Sequence, residues 1–187
     1  MSVNKNRMLN TKSLVASALL TTLGILIPLV MQPPFKIVLE PASFTLASHV
    51  PVMISMFISP VSALIVSIGT ALGFLLSGMP VVIAVRALSH IVFALIGAYI
   101  IKIKTISPSE HKKLVILCLV LAVIHGVMEV IVTLPFYFSG ALSEGFYTSS
   151  FGYGIVLLVG VGTMVHSCLD FIITVFVVKI LKKARVF

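Results

Sequence analysis

The stretch VVIAVRALSHIVFALIGAYIIK, residues 81–102, decides the fold class of this chain. It is apolar over a length that crosses a bilayer, which takes about 20 helical residues. The same stretch contains Arg86 and His90. A charged side chain inside a membrane span is costly and normally faces the helix bundle or a wet cavity. The sequence therefore predicts a membrane helix in which Arg86 belongs to a functional site.

The rest of the chain shares this apolar character. Of its 187 residues, 59% are hydrophobic and only 10% are charged. A water-soluble domain of this length needs much more polar surface than such a composition supplies. We therefore expect an all-α integral membrane protein that forms a single membrane domain over residues 1–187.

The formal net charge of +8 comes mostly from basic residues that flank the apolar runs. Basic flanks of membrane helices face the cytoplasm and its anionic lipids. This placement indicates contact with the lipid bilayer rather than with nucleic acid, and it predicts that both termini are cytoplasmic. These flanking residues form three groups: Lys5, Arg7 and Lys12; Lys102, Lys104, Lys112 and Lys113; and Lys179, Lys182, Lys183 and Arg185.

The apolar runs predict six transmembrane helices. The run 44–76 is too long for one span, and we expect a break at Ser59–Pro60 because the residue before a proline disfavours helix. A single kinked span here would move the basic connection 102–113 outside, against the positive-inside rule. The N-terminal run resembles a signal peptide but is long, so we expect it to be retained. The predicted spans are residues 13–31, 44–59, 61–77, 81–101, 114–138 and 152–180.

Four of these spans carry ionisable residues at depth, and three of them carry a pair spaced i,i+4 that shares one helix face. We expect His49, Arg86 and Glu129 to line one outward-facing pocket, with Asp170 deeper in the membrane. Arg86 needs an anion, which is either Glu129 as a structural partner or the carboxylate of a bound ligand. The residues are His49; Arg86 and His90; His125 and Glu129; and His166 and Asp170.

The spacings HxxxE at 125–129 and HxxxD at 166–170 also suggest a metal hydrolase or, for the deeper pair, a proton relay in a stand-alone transporter. The sequence contains neither HExxH nor GxxxxGK[ST], the motifs of zinc proteases and P-loop ATPases. We therefore expect no catalytic residue, no metal and no cofactor. Cys118 and Cys168 lie in apolar runs without metal-ligand spacing, and we expect both to be buried.

Two further features predict contacts with mobile or neighbouring segments. The connection QPPFKIVLEPAS, residues 32–43, is long and partly apolar, so Phe35, Lys36 and Glu40 are candidate residues of a lid over the pocket. In the first span, small residues recur every four positions and let another helix approach closely. That helix belongs either to this chain or to a partner protein. The small residues are Ser13, Ser17 and Thr21, with Ala18 beside them.

These features together resemble a known family. A small six-span protein with basic flanks and no nucleotide site is similar to the substrate-binding S component of an energy-coupling factor (ECF) vitamin transporter. The stripe at Ser13, Ser17, Ala18 and Thr21 resembles the first-helix motif that docks on the transmembrane T component. The connection 32–43 resembles the loop that covers the vitamin. The segments FTLASHVPVMISMFISP (44–60) and GFLLSGMPVVIAVRALSHIVFALIGAY (73–99) most resemble the niacin-specific subfamily.

The resemblance implies a function without covalent chemistry, in the bacterial cytoplasmic membrane. The protein would capture nicotinate from outside and deliver it inward with a T component and two cytosolic ATPases. Arg86 would hold the carboxylate, and Glu129, His90 or His125 would address the pyridine nitrogen. Pantothenate, another carboxylate, is the alternative substrate. The aromatic side chains expected near the ring are Phe35, Phe44, Phe136 and Tyr137.

Overall fold

The computed structural model of the chain describes residues 11–31, 33–39, 42–142, 144–148 and 150–184. Within these residues the fold is mostly helical. A π-helical segment, Gly152–Val161, runs directly into the last α-helix. The α-helices are α1 Thr11–Val30, α2 Val50–Met56, α3 Pro60–Leu76, α4 Val81–Lys104, α5 His111–Phe138, α6 Gly145–Thr148 and α7 Gly162–Lys183, and the strands are β1 Lys36–Leu39 and β2 Ala42–Thr45.

In the described part of the chain, four helical segments are long and apolar enough to cross a membrane, as expected of a multi-pass integral membrane protein. They are Thr11–Val30, Val81–Lys104, His111–Phe138 and Gly152–Lys183. The helix α3 is apolar but shorter. Large apolar side chains such as Leu19 and Ile172 lie on the outside of the bundle and are more than half exposed. Such a surface is suited to lipid tails rather than to water.

The predicted span 44–59 is different in the structure. Its first residues belong to β2, and only the seven residues Val50–Met56 form a helix. At a rise of 1.5 Å per residue, this helix is about 10 Å long, which is a third of the hydrocarbon layer. All seven residues of α2 are buried, and the helix packs against α1, α3, α4 and α7. The segment is therefore a short helix in the middle of the bundle, and it has no lipid-facing side.

The strands correct the expectation of an all-α fold. β1 pairs with β2 in an antiparallel hairpin, with Lys36 opposite Thr45. The Leu46 amide donates a hydrogen bond to the Phe35 carbonyl, at 2.9 Å, and closes the open end. β-branched residues in KIVL favour strand over helix once prolines precede them. The candidate lid residue Glu40 lies outside the described residues, as do Lys5, Arg7 and Arg185.

The small-residue stripe of α1 packs inside the chain, against α3. Ser17 is fully buried, so it is not available to a partner helix. The side chain of Thr21 lies where a Cβ atom on Gly69 would sit, at 2.5 Å, which shows how closely the two helices approach. Ser17 and Thr21 are therefore internal contacts, a correction to their expected role in partner docking. Ala18 is exposed and faces away from the bundle.

A second close approach brings α5 against the π-helical segment. A Cβ atom added to Gly126 would lie 2.8 Å from the backbone oxygen of Gly160 and 2.6 Å from Met164. Only glycine fits at position 126 without pushing the two elements apart. Cys118 and Cys168, expected to be buried, are only half-buried, on α5 and α7.

Candidate functional site

The ionisable residues of α4 and α5 meet around one buried carboxylate. Arg86 Nε donates a hydrogen bond to Glu129 Oε2, and His90 Nε2 lies 3.3 Å from Glu129 Oε1. Glu129 is 2% exposed, so both partners stabilise a charge that has lost most of its water. The sequence left two roles open for Arg86, and the ion pair with Glu129 is one of them. The described contacts of the guanidinium use Nε alone, which leaves its terminal nitrogens for another acceptor.

His125 lies behind this pair and is fully buried. Its Nδ1 atom is 3.2 Å from Ser167 Oγ on α7. Its Nε2 atom approaches Glu129 Oε1 to 3.5 Å, but the geometry is too poor for a hydrogen bond. Among the described residues, this nitrogen is one of a few buried side-chain atoms without a hydrogen-bond partner. Such atoms are rare in native proteins because each adds a desolvation penalty.

Asp170 holds the turn that precedes α2. Its Oδ1 accepts the Ala47 amide at 2.8 Å, and its Oδ2 accepts the His49 amide at 2.9 Å. Ala47 has φ of 65°, a left-handed conformation that is unfavourable for alanine and needs such support. The two hydrogen bonds therefore fix the turn that leads into α2, whose N-cap residue is His49. Asp170 was predicted to lie deeper than the pocket; it does not line the cavity, and it contacts His49, which does.

Four histidines form one contiguous group between these carboxylates. The ring centroid of His49 lies 4.8 Å from that of His90, 4.6 Å from that of His125 and 5.1 Å from that of His166. His49 Nδ1 is 3.1 Å from Asp170 Oδ2, and His166 Nε2 is 3.4 Å from the same oxygen. Ser48 Oγ bridges His49 and His166, at 3.3 and 3.2 Å. The two carboxylates are thus joined through imidazole rings.

A cavity of about 160 Å³ opens beside this group. One water needs about 10–15 Å³ measured in this way, so the cavity has room for a small molecule. Lys36 and Phe44 of the hairpin form part of its wall, and the Phe44 ring lies 5.7 Å from the His166 ring. Of the predicted site residues, those that line it are Arg86, Glu129, His90, His49, Phe44 and Lys36.

The remaining predicted residues lie elsewhere. Tyr137 stacks on Tyr147, with centroids 5.2 Å apart, in an aromatic cluster that does not line the cavity, a correction to its expected role. Phe136 packs in a neighbouring apolar cluster. Phe35 is 54% exposed and also does not line the cavity.

Several lining residues were not predicted. Ser48, Thr45, Thr70 and Thr163 are short polar residues in apolar runs, and no spacing distinguishes them from residues that hydrogen-bond within their own helix. His166 was not among the residues predicted to line the pocket, and its i,i+4 spacing from Asp170 places both on one helix face. Only the packing of α7 against α2 brings this face to the cavity.

Without Lys36, the formal charges of the buried group do not balance. Arg86 supplies one positive charge, and Glu129 and Asp170 supply two negative charges, both on carboxylates that are at most 2% exposed. Lys36 adds a positive charge at the wall of the cavity. With neutral imidazoles, the buried group is therefore anionic before any ligand enters it.

An apolar helical bundle around a small polar cavity defines a membrane protein that binds a small solute. Over 175 residues the chain is 39% identical to the niacin transporter NiaX of Lactococcus lactis subsp. cremoris (strain MG1363), covering 92% of this chain and 76% of that protein. The chain therefore belongs to the family of niacin-specific S components of ECF transporters. No family model matches the chain, and no solved structure matches it significantly.

Proposed function

We propose that the chain is the substrate-binding subunit of an ECF vitamin importer and that it binds nicotinate from outside the cell. The observation that carries the assignment is Arg86, which lines the cavity and uses only Nε for Glu129. Its terminal nitrogens form a planar pair of donors, and this pair matches a carboxylate in a bidentate arrangement. The similarity to a niacin transporter supplies the identity of the acid.

The ring of the ligand then lies between the hairpin and the histidines. Phe44 supplies an aromatic face in the cavity wall. A Cβ atom on Gly162 would lie 2.6 Å from the Phe44 ring, so glycine at this position lets the ring pack close to α7. His90 and His166 line the same cavity and offer nitrogens within reach of a small heteroaromatic ring. An aromatic wall with a few polar groups is typical of sites for small ligands.

We assign the hairpin the role of the lid. Lys36, Phe44 and Thr45 belong to it and form one wall of the cavity. Movement of the hairpin would therefore change the size and the opening of the cavity. The hairpin is tied to the bundle by Asp170 through the amides of Ala47 and His49. These hydrogen bonds are the expected hinge of the movement.

For the topology we propose six membrane passages with both termini in the cytoplasm. The second passage consists of the turn 46–49 together with α2, inside the bundle, and the third is α3. Basic residues at the ends of α4 and α7, among them Lys102 and Lys182, support a cytoplasmic position for these ends.

We further propose a T component and two cytosolic ATPases as partners. The exposed face of α1 carries Ala18 between the exposed Leu14 and Leu19, and none of the residues that the structure describes buries this face. A small residue between leucines lets a second helix approach. The substitution Ala18→Leu is expected to leave nicotinate binding unchanged and to reduce uptake by the assembled transporter. If both uptake and assembly with the T component are unaffected, α1 is not the docking helix.

The function is tested by titrating the purified chain in detergent with nicotinate, nicotinamide and pantothenate in a calorimeter. We expect one nicotinate site per chain, weaker binding of the amide, which lacks the negative charge, and no binding of the larger pantothenate. A chain that is monodisperse and folded but binds none of the three refutes the assignment. Nicotinate uptake by the chain alone in proteoliposomes, abolished by an uncoupler, would instead indicate a proton-coupled transporter.

A further inference from the structure

We propose that His49, His90 and His125 form a site for one divalent transition-metal ion, and that this ion contacts the ligand in the cavity. The three imidazoles come from separate parts of the fold: the turn before α2, the middle of α4 and the middle of α5. One ligand nitrogen from each lies within 4.8 Å of the others. Imidazole nitrogen suits zinc, copper, iron and nickel, whereas calcium and magnesium prefer oxygen.

The ring geometry is close to that of a three-histidine site. The centroids lie 4.6 Å apart for His49 and His125, and 4.8 Å apart for His49 and His90 and for His90 and His125. With metal–nitrogen distances of about 2.0–2.1 Å, the nitrogens of a tetrahedral site are about 3.4 Å apart. The three nitrogens lie within 4.8 Å of one another, so binding an ion would draw them together by up to about 1.4 Å.

Each of the three rings already has one nitrogen fixed by an oxygen. His49 Nδ1 lies 3.1 Å from Asp170 Oδ2, and His90 Nε2 lies 3.3 Å from Glu129 Oε1. His125 Nδ1 lies 3.2 Å from Ser167 Oγ. Metal-binding histidines almost always donate their other N–H to a carboxylate, a carbonyl or a similar acceptor, which orients the ring. The arrangement therefore leaves one nitrogen on each ring for an ion.

The free nitrogen of His125 is the strongest single indication. This side chain is 0% exposed, and its Nε2 atom has no hydrogen-bond partner among the described residues. A metal ion would remove this unsatisfied group. The other triad, His49 with His166 and Asp170, is less suitable because both oxygens of Asp170 already accept backbone amides.

The charge of the site explains why an ion would assist an anionic ligand. Arg86 is opposed by Glu129 and Asp170, so nicotinate would bring a third negative charge into a largely buried group. Uncompensated charge of this kind is costly away from water. One divalent cation on neutral imidazoles offsets both the excess negative charge and the ligand. Three protein ligands also leave a fourth coordination position, which either the pyridine nitrogen or the carboxylate can occupy.

The contact with nicotinate rests on the proposed function, whereas the ion site does not, so the two are tested separately. The full chain is purified through a tag without histidine, stripped with a chelator and titrated with Co²⁺ and Zn²⁺. We expect one ion per chain and a Co²⁺ absorption spectrum typical of a four-coordinate ion. His125→Gln is expected to lose stoichiometric binding, and the matched control His111→Gln, at the exposed start of α5, is expected to retain it.

A second variant protects the test against misfolding. Ser167→Ala keeps all three imidazoles and removes only the oxygen that orients His125, so we expect Co²⁺ affinity to fall by about 10- to 100-fold. Absence of metal binding by folded wild-type protein overturns the site. Equal binding by wild type and His125→Gln overturns the assignment of its ligands.

The contact with the ligand is tested by nicotinate titration in excess Zn²⁺ and in excess chelator. We expect affinity to be at least tenfold lower in chelator. Equal affinity in both, or binding in chelator accompanied by uptake of one proton, overturns the role of the ion in favour of a protonated histidine. If nicotinate binds under neither condition, the proposed function fails, and the Co²⁺ titration still decides whether the ion site exists.

Discussion

Replacing Arg86 with alanine should remove most of the affinity for nicotinate and leave that for nicotinamide nearly unchanged. Two opposite charges about 4 Å apart interact by about 4 kcal/mol at an effective dielectric constant near 20. The Arg86 side chain is 20% exposed, so water offsets part of this energy. We expect a loss of about 2–4 kcal/mol, which is a 30- to 700-fold increase in the dissociation constant.

The same substitution also leaves Glu129 without its guanidinium, and the glutamate side chain is only 3% exposed. Removing one member of a buried ion pair destabilises a protein by about 3–5 kcal/mol. The double variant Arg86→Ala/Glu129→Gln removes the orphaned charge while keeping the shape of the glutamate. We therefore expect the double variant to recover much of the thermal stability and none of the nicotinate affinity.

The assay is calorimetric titration of the wild type and both variants with nicotinate and with nicotinamide, after thermal unfolding has shown that each is folded. The amide has nearly the same shape as the acid and lacks its charge, so it reports losses that come from distortion of the cavity. The reasoning is refuted if the folded double variant binds nicotinate as tightly as the wild type. It is also refuted if nicotinamide loses as much affinity as nicotinate.

Three further predictions concern packing, the turn before α2 and the rim of the cavity. Gly126→Ala should lower the free energy of unfolding by about 1–3 kcal/mol. The control Gly152→Ala should have no such effect, because its added methyl group meets no atom within 4 Å. Equal melting temperatures of the two variants would contradict the close packing of α5. Asp170→Asn should destabilise the chain by about 1–3 kcal/mol, since an amide nitrogen cannot accept a backbone N–H. An unchanged unfolding curve would show that the hydrogen bonds from the Ala47 and His49 amides are dispensable. Lys36→Ala should slow nicotinate association and make the association rate less dependent on salt, whereas Lys102→Ala should change neither. Both rates are measured by stopped-flow fluorescence. Equal association rates for Lys36→Ala and the wild type would place Lys36 outside the entry path.

The long helices were predictable because their signal is local. The predicted spans 81–101, 114–138 and 152–180 fall within Val81–Lys104, His111–Phe138 and Gly152–Lys183 of the structure. Each is a long apolar run that ends in basic or polar residues, and neither property depends on the rest of the chain.

The hairpin and α2 were not predictable from the same signal. Residues 44–59 are apolar, and a run of this kind fits a membrane helix as well as a buried short one. The chain turns at residue 47 because Asp170, far away in sequence, binds its amide. A side chain more than 100 residues distant leaves no local pattern at the turn that it stabilises.

The site was predictable residue by residue but not as an arrangement. Arg86 and Glu129 are notable in the sequence because charge in an apolar run is rare and costly. The packing of α2 within the bundle brings His49 between His90, His125 and His166. The expectation of no metal came from spacing within single helices, whereas the histidine group combines several elements.

The two-stranded hairpin also determines how deeply the molecule is immersed in the bilayer. A pair of strands leaves backbone groups on its outer edges without partners in the sheet, and the hydrocarbon layer does not tolerate them. β1 and β2 must therefore stay among headgroups or water, and the hydrocarbon boundary on that side passes below both strands. Because Lys36, Phe44 and Arg86 line the same cavity, the buried charges lie just beneath that boundary. A solute can then reach them from the aqueous phase without crossing the apolar layer.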